Sequence, residues 1–414
     1  MPIKLKTKLY NFLRWSEKYT KTDMVYLASG GFWLALSKII ATATSFILAI
    51  AYANLLPQDI YGTYKYILSL AGIASIAALP GLNTALISAV AKGYEGTIKP
   101  IIKEKIKWSL LGSLIATIGS LYYFINDNQT LGWGLLLVAI FTPLTHGLIV
   151  YGFYLQGKKQ FKTISYYNSL HNIIVTLFII ITIYFTKNII LIILINFFVS
   201  FLIKAYFNAK TLKQQKNTPI DKSSINFGKH LSLMNIIDTI AKQLDKILIW
   251  HFLGAAELAI YSFAVLPVEQ IKNLAKTIVP LSLPKFSQAN KHDLQKNLPP
   301  KIIKATIITI PAVILYILLA PLLYSLFFPS YQTAVWYSQL FSLVILLIPI
   351  NLTATALIAK FEQKKLYIIK IISPLIKISS LAIFIPLAGI KGAVMALIFS
   401  AIINNSLSYY LFKK

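Results

Sequence analysis

Lysine is distributed along this chain in a way that few folds permit. About a dozen apolar stretches are separated by linkers that alternate between lysine-rich and lysine-poor. The rich ones are 1–24, 92–107, 156–169, 208–229, 284–304, 360–365 and the C-terminal end, which together hold 29 of the 40 basic residues. The intervening linkers read as holding only Lys65, Lys187 and Lys391. Apolar runs of roughly 17 to 27 residues can cross a bilayer as helices, and short loops rich in Lys or Arg stay on the cytoplasmic side. The pattern therefore specifies an all-α polytopic membrane protein with an even number of spans and both termini cytoplasmic.

The runs fall near 31–56, 64–90, 108–125, 131–155, 170–186, 188–207, 227–253, 257–283, 304–328, 333–358, 366–386 and 390–412. A hydrophobic fraction of 57% and a mean hydropathy of +0.68 agree, because a soluble chain of 414 residues would lack the polar residues to cover so much apolar surface. The first run is too long for a cleaved leader and reads as a retained span. Ahead of it, Ile3, Leu5, Leu9, Phe12, Leu13 and Trp15 interleave with Lys4, Lys6, Lys8, Arg14 and Lys18, the composition of a cytoplasmic amphipathic segment over 1–24. The long polar linker then divides the chain into an N-lobe (25–207, helices 1–6), a cytoplasmic linker (208–226) and a C-lobe (227–414, helices 7–12). Sliding the sequence by 197 residues superposes Leu56 on Leu253, Pro57 on Gly254 and Tyr64 on Tyr261, as expected of parallel repeats.

A net charge of +27 is also found in nucleic-acid-binding proteins, but here the lysines flank membrane-length runs, and anionic headgroups are the simpler partner. With no cysteine, thiol chemistry is excluded, and His146, His171, His230 and His251 have no metal-ligand spacing. There is no Walker A loop and no nucleophile elbow, and the external connections are too short for an outer catalytic domain. No cofactor, metal or catalytic residue is expected.

Charges inside spans are expensive, so their placement points to the working interior. In helix 7, Asn235, Asp238, Lys242 and Asp245 share one helical stripe with Lys246 at its edge. Helix 8 adds Ser262, Glu269, Lys272, Asn273 and Lys276, and helix 1 adds Lys38, Thr42, Ser45 and Tyr52. Ion pairs such as Asp238 with Lys242 would equally serve to hold helices together. Three lysine-rich stripes taken together imply a hydrated cavity of positive potential, suited to a diphosphate or acidic sugar. The expected binding residues are Lys38, Lys242, Lys272 and Lys276, with Asp238, Asp245 and Glu269 as coupling or ion-pair carboxylates. Lys370, Ser373, Lys377 and Ser380 form a further stripe in helix 11, read as structural because lysines can snorkel from outer helices.

Residues 55–66 (LLPQDIYGTYKY) followed by 79–87 (LPGLNTALI) resemble the helix 1–2 signature of the O-antigen type polysaccharide biosynthesis flippases of the multidrug/oligosaccharidyl-lipid/polysaccharide (MOP) exporter superfamily. Residues 243–249 (QLDKILI) and 252–262 (FLGAAELAIYS) are similar to its helix 7–8 signature. The resemblance implies a two-lobe, V-shaped exporter whose cationic lumen is lined by the first two helices of each lobe. It also implies transfer of undecaprenyl-diphosphate-linked repeat units across the bacterial inner membrane, by a monomer working beside a polysaccharide polymerase and chain-length regulator. Leu56 and Ala259 depart from the usual glycines, and lysine stands where arginine is common, giving a point charge rather than a bidentate fork.

The leading expectation is thus a transporter of lipid-linked oligosaccharide, not an enzyme, with H+ or Na+ open as a coupling ion. The same fold could carry a peptidoglycan precursor or a drug. A membrane polymerase or ligase is a second alternative, disfavoured by the short loops.

Overall fold

The computed structural model describes residues 24–216, 219–275, 282, 286–287, 289–360 and 362–414, with side chains from Gly30 onward. The expected amphipathic segment over 1–24 lies essentially outside them. The described residues are helical almost throughout and contain no strand.

The first lobe contains α1 (Met24–Leu55), α2 (Gln58–Ala74), α3 (Gly81–Ala91), α4 (Ile98–Ile125), α5 (Gln129–Leu148), α6 (Val150–Gly157), α7 (Phe161–Phe185) and α8 (Ile189–Leu212). The second contains α9 (Lys222–Met234), α10 (Ile236–Leu253), α11 (Ala255–Ala275), α12 (Lys291–Phe327), α13 (Ala334–Ser342), α14 (Asn351–Ala359) and α15 (Gln363–Lys413). Eight of these elements or runs are long and apolar enough to cross a bilayer, and the bent α2–α3 pair makes a ninth. Among the described residues, twelve crossings result when the 51-residue α15 is divided where Ala388 and Gly389 leave helical geometry, and when the more polar α9–α10 and α11 are added.

Local chemistry explains the breaks. Leu79 adopts φ 50 directly before Pro80, whose ring disfavours helical geometry at the residue before it, and the second crossing bends by 49° there. Gly254, at φ 94, closes the turn between α10 and α11, and Pro57 precedes α2 in the corresponding place of the first lobe. Helix starts are capped by side chains: Asn128 accepts from Leu131 N–H at 3.0 Å and Asp221 from Ser224 N–H at 3.0 Å. Donation from Ser223 and Ser224 holds the Asp221 carboxyl well below the usual carboxylate range.

The outer faces are lipid-like. On α4, Leu110, Leu114, Ile118, Leu121 and Ile125 are all exposed at helical spacing, and α12 exposes Ile307, Leu315, Leu318, Leu322 and Leu326. Water would not tolerate apolar stripes of that extent on a folded protein.

Helix pairing repeats between the lobes. The α1 helix packs along α7 as α10 packs along α15, and α4 packs on α5 as α12 packs on the α13 region. The lobes meet mainly through α2–α3 against α9, α10 and α11. That seam needs glycine. A Cβ on Gly62 would lie 1.8 Å from the Ala255 carbonyl oxygen, and one on Gly81 would lie 2.4 Å from that of Gly228. Tyr66 stacks on Trp250 at 4.0 Å between ring centres, and Gly81 N–H donates to Ser232 Oγ at 2.9 Å.

Span boundaries differ from the sequence reading where charge misled it. The second crossing begins at Gln58 and not near residue 64, so Lys65 lies two turns inside a helix, whereas Lys391 sits just after the turn at Ala388 and Gly389. The third begins at Ile98, and Lys105 is only 1% exposed, donating to Asn83 Oδ1 at 2.9 Å. A buried amide partner lets a lysine enter the bundle without a loop around it. The linker is also shorter than expected, because α8 continues to Leu212 and α9 starts at Lys222.

Candidate functional site

One large cavity, of about 780 Å³, opens among α10, α11, α13 and α15, with Ser45 of α1 and Lys65 of α2 contributed by the first lobe. Its walls carry Lys65, Lys242, Lys246, Lys272, Lys370 and Lys377 against Asp238, Asp245 and Glu269, an excess of three positive charges.

The carboxylates are distributed unevenly among the lysines. Lys242 Nζ lies 2.5 Å from Asp238 Oδ2 and Lys272 Nζ 2.6 Å from Glu269 Oε1, each pair within one helical turn. Asp245 is different. It is 6% exposed, accepts the Tyr261 hydroxyl at 2.7 Å on Oδ2, and leaves Oδ1 without a hydrogen bond, 3.7 Å from Lys246 Nζ. Lys65, Lys370 and Lys377 have no carboxylate within salt-bridge distance among the described residues, although Lys65 lies over the Tyr61 ring at 5.6 Å. At 1.5 Å per residue, Lys65 and Asp245 sit about 10 to 12 Å from the turns that end their helices, which is inside an apolar layer about 30 Å thick.

At that turn end the two lobes are sealed by aromatic rings. Tyr52, Tyr61 and Tyr64 of the first lobe pack together, and Tyr61 meets Phe263 at 4.9 Å, which in turn meets Tyr331 at 4.0 Å. Asn54 donates to the Phe327 carbonyl at 3.0 Å and Gln58 to that of Ser330 at 2.7 Å. Farther down, Gln270 reaches Ser45 Oγ at 3.3 Å across the lobes.

The helix 7 stripe expected from spacing is thus in the wall in full: Asn235, Asp238, Lys242 and Asp245. From helix 8, Ser262, Glu269 and Lys272 line the cavity, whereas Lys276 lies outside the described residues. Lys38 is half-buried and does not line the cavity, and Tyr52 belongs to the aromatic seal. The lumen is also not shared equally by the first two helices of each lobe, because α2 and α3 spend their inward faces on the glycine seam. Sequence reasoning passed over Lys65, hidden by the misplaced helix start. It also set aside Lys377, whose stripe with Lys370 and Ser373 was visible and does line the cavity. Among the described residues, no cluster of His, Cys, Asp and Glu could hold a metal.

Residues 27–290 match the polysaccharide biosynthesis protein family. The chain belongs to that family. Its fold is that of the MOP superfamily transporters. The lipid II flippase MurJ in an inward closed conformation aligns with TM-score 0.67 and 14% identity, over 94% of this chain and 88% of that one. A MOP transporter from Pyrococcus furiosus, described as having a binding pocket of reverse polarity, aligns with TM-score 0.62 and 15% identity over 93% and 94%. A multidrug resistance MATE transporter in an outward-facing conformation aligns with TM-score 0.59 and 14% identity, also over 93% and 94%. No curated protein matches this chain at a significant level.

Proposed function

We propose that this protein carries oligosaccharides linked to undecaprenyl diphosphate from the cytoplasmic to the outer face of a bacterial inner membrane, by alternating access, for assembly of O-antigen or another surface polysaccharide. The observation that carries the reading is the excess of lysine over carboxylate in a membrane-depth cavity. Uncompensated charge there is costly and is kept where a counter-charge arrives from outside. A diphosphate supplies it. A drug exporter taking cationic compounds would need the opposite balance, and the fold by itself favours neither cargo.

The volume supports the division of labour. About 780 Å³ is in the ordinary range for small-ligand sites and suits a diphosphate with its first sugars, leaving the polyprenyl chain in lipid. The lysine asymmetry supports assigning the aromatic seal to the outer face, so that this conformation presents the cavity toward the cytoplasm. Separation of the Tyr66–Trp250 and Phe263–Tyr331 contacts would then accompany outward opening.

The test is flipping of a fluorescently labelled undecaprenyl-diphosphate N-acetylglucosamine in proteoliposomes. Wild-type protein is expected to equilibrate it between leaflets, and Lys65→Gln combined with Lys377→Gln to slow it at least tenfold. Equal rates in vesicles with and without protein would overturn the reading. In cells, deletion should leave the lipid-linked intermediate on the inner face.

A further inference from the structure

Asp245 is an odd residue to find in a site built for anions. It is the most buried carboxylate in the cavity wall, and it is the one not taken up by a lysine in a close pair on its own helix turn. One oxygen is pinned by Tyr261, and the other has no hydrogen bond, with Lys246 Nζ 3.7 Å away. Lys246 on the same helix, Lys377 on α15 and Lys65 on the opposite lobe all line the cavity around it, and their charges act on it. Lys65 and Lys377 have no carboxylate at salt-bridge distance among the described residues, Asp245 included.

We infer that the phosphate subsite is the cradle formed by Lys65, Lys246 and Lys377, and that the Asp245 carboxylate is its resident anion, displaced from these lysines when the phosphate of the cargo arrives. The inference rests on the cavity being a phosphate site and names where in it the phosphate binds. A cradle of three lysines left empty at membrane depth would repel itself. A fixed carboxylate relieves that repulsion and lowers affinity for the cargo, so that the anion can leave again after crossing. The oxygen without a hydrogen bond fits this role: Asp238 and Glu269 each hold a lysine in contact, at 2.5 and 2.6 Å, whereas the nearest ammonium to Asp245 Oδ1 stands off at 3.7 Å. Because Lys65 belongs to the first lobe and the other two lysines to the second, phosphate bound there would also draw charge from both lobes.

The test uses purified full-length protein and inorganic pyrophosphate, with binding read by calorimetry at low ionic strength. Asp245→Asn is expected to bind pyrophosphate at least tenfold more tightly than wild type, and Asp245→Ser to do the same, so that the gain follows loss of charge and not amide chemistry. Lys377→Gln should weaken binding more in the Asp245→Asn background than in wild type, because the aspartate no longer masks that lysine. Unchanged or weaker binding in both neutral variants, with wild type binding measurably, overturns the resident-anion role and leaves the phosphate reading standing. Absence of pyrophosphate binding in wild type and both variants overturns the phosphate reading and this inference together. A Lys377→Gln effect of equal size in both backgrounds also overturns the inference.

Discussion

The two lobes pair their helices alike and fill their interiors differently. Under the 197-residue offset, Ser45, Leu48 and Ala49 of α1 correspond to Lys242, Asp245 and Lys246 of α10. Tyr64 corresponds to Tyr261, yet Tyr64 accepts from Asn196 at 3.1 Å whereas Tyr261 donates to a carboxylate. The first lobe keeps one of its interior cations, Lys105, out of the cavity and satisfied by an asparagine. The second lobe lines an open space with lysines, and the first answers with Lys65 and Ser45 only. A repeated scaffold thus fixes helix packing while leaving each lobe free to be a wall or a site, and charge inside a span signifies function only where there is space beside it.

The sharpest way to break this comparison is to disturb what the lobes share. Gly62→Val would drive a side chain into the Ala255 carbonyl, and backbone cannot yield cheaply, so a loss of about 3 kcal/mol or more is expected. Thermal unfolding and membrane abundance would report it. Retention of wild-type melting would mean that the seam is looser than its contacts indicate.

Next in size is the asymmetry of the site itself. Lys65→Gln is expected to reduce flipping about tenfold and Lys38→Gln less than twofold, because Lys65 lines the cavity and Lys38 does not. The reverse order in the proteoliposome assay would return the site to the first two helices of each lobe.

A smaller effect is expected from Lys105→Met. Replacing a buried lysine that has a neutral amide partner by an apolar side chain of similar length should leave flipping intact and change stability by about 1 kcal/mol or less in either direction. A lost flipping activity with an unchanged melting temperature would make the first lobe's interior a site after all.

The smallest lies outside the membrane. Glu362, between α14 and α15, is paired with Lys291 and Lys365, and hydrogen bonding from Lys291 holds its carboxyl below the ordinary value of 4.5. A depressed folded-state value gives stability that is present above about pH 4.5 and is lost as pH falls through the folded value. Since the group is partly exposed, the contribution should stay under about 1 kcal/mol. Comparing melting of wild type and Glu362→Gln between pH 6 and pH 3.5 should show the wild-type advantage shrinking toward acid.

Much of this was legible in sequence because lipid imposes strong rules. Apolar length gave the crossings, and the helix 7 stripe reached the cavity wall intact because spacing on a single helix is a local property. What failed was non-local. Lys65 reads as a loop residue until Pro57 is seen to start the helix, and the value of Lys377 depends on which face of α15 meets α10, which no periodicity specifies. The break at Asn235, between α9 and α10, was likewise silent, since no proline marks it.

The two-residue break at Ala388 and Gly389 has a consequence for how the chain enters the bilayer. With so little polypeptide between the halves of α15, the last two crossings must reach the insertion machinery as a helical hairpin, not as two independent segments. The first half carries Lys377, which near the centre of a span costs about 2.5–3.5 kcal/mol to insert. The second half follows immediately and is apolar over residues 393–403 apart from Ser400. Its apolar partner can therefore carry the lysine across in one step, and lengthening the turn at Gly389 should strand Lys377 on the wrong side of that transfer.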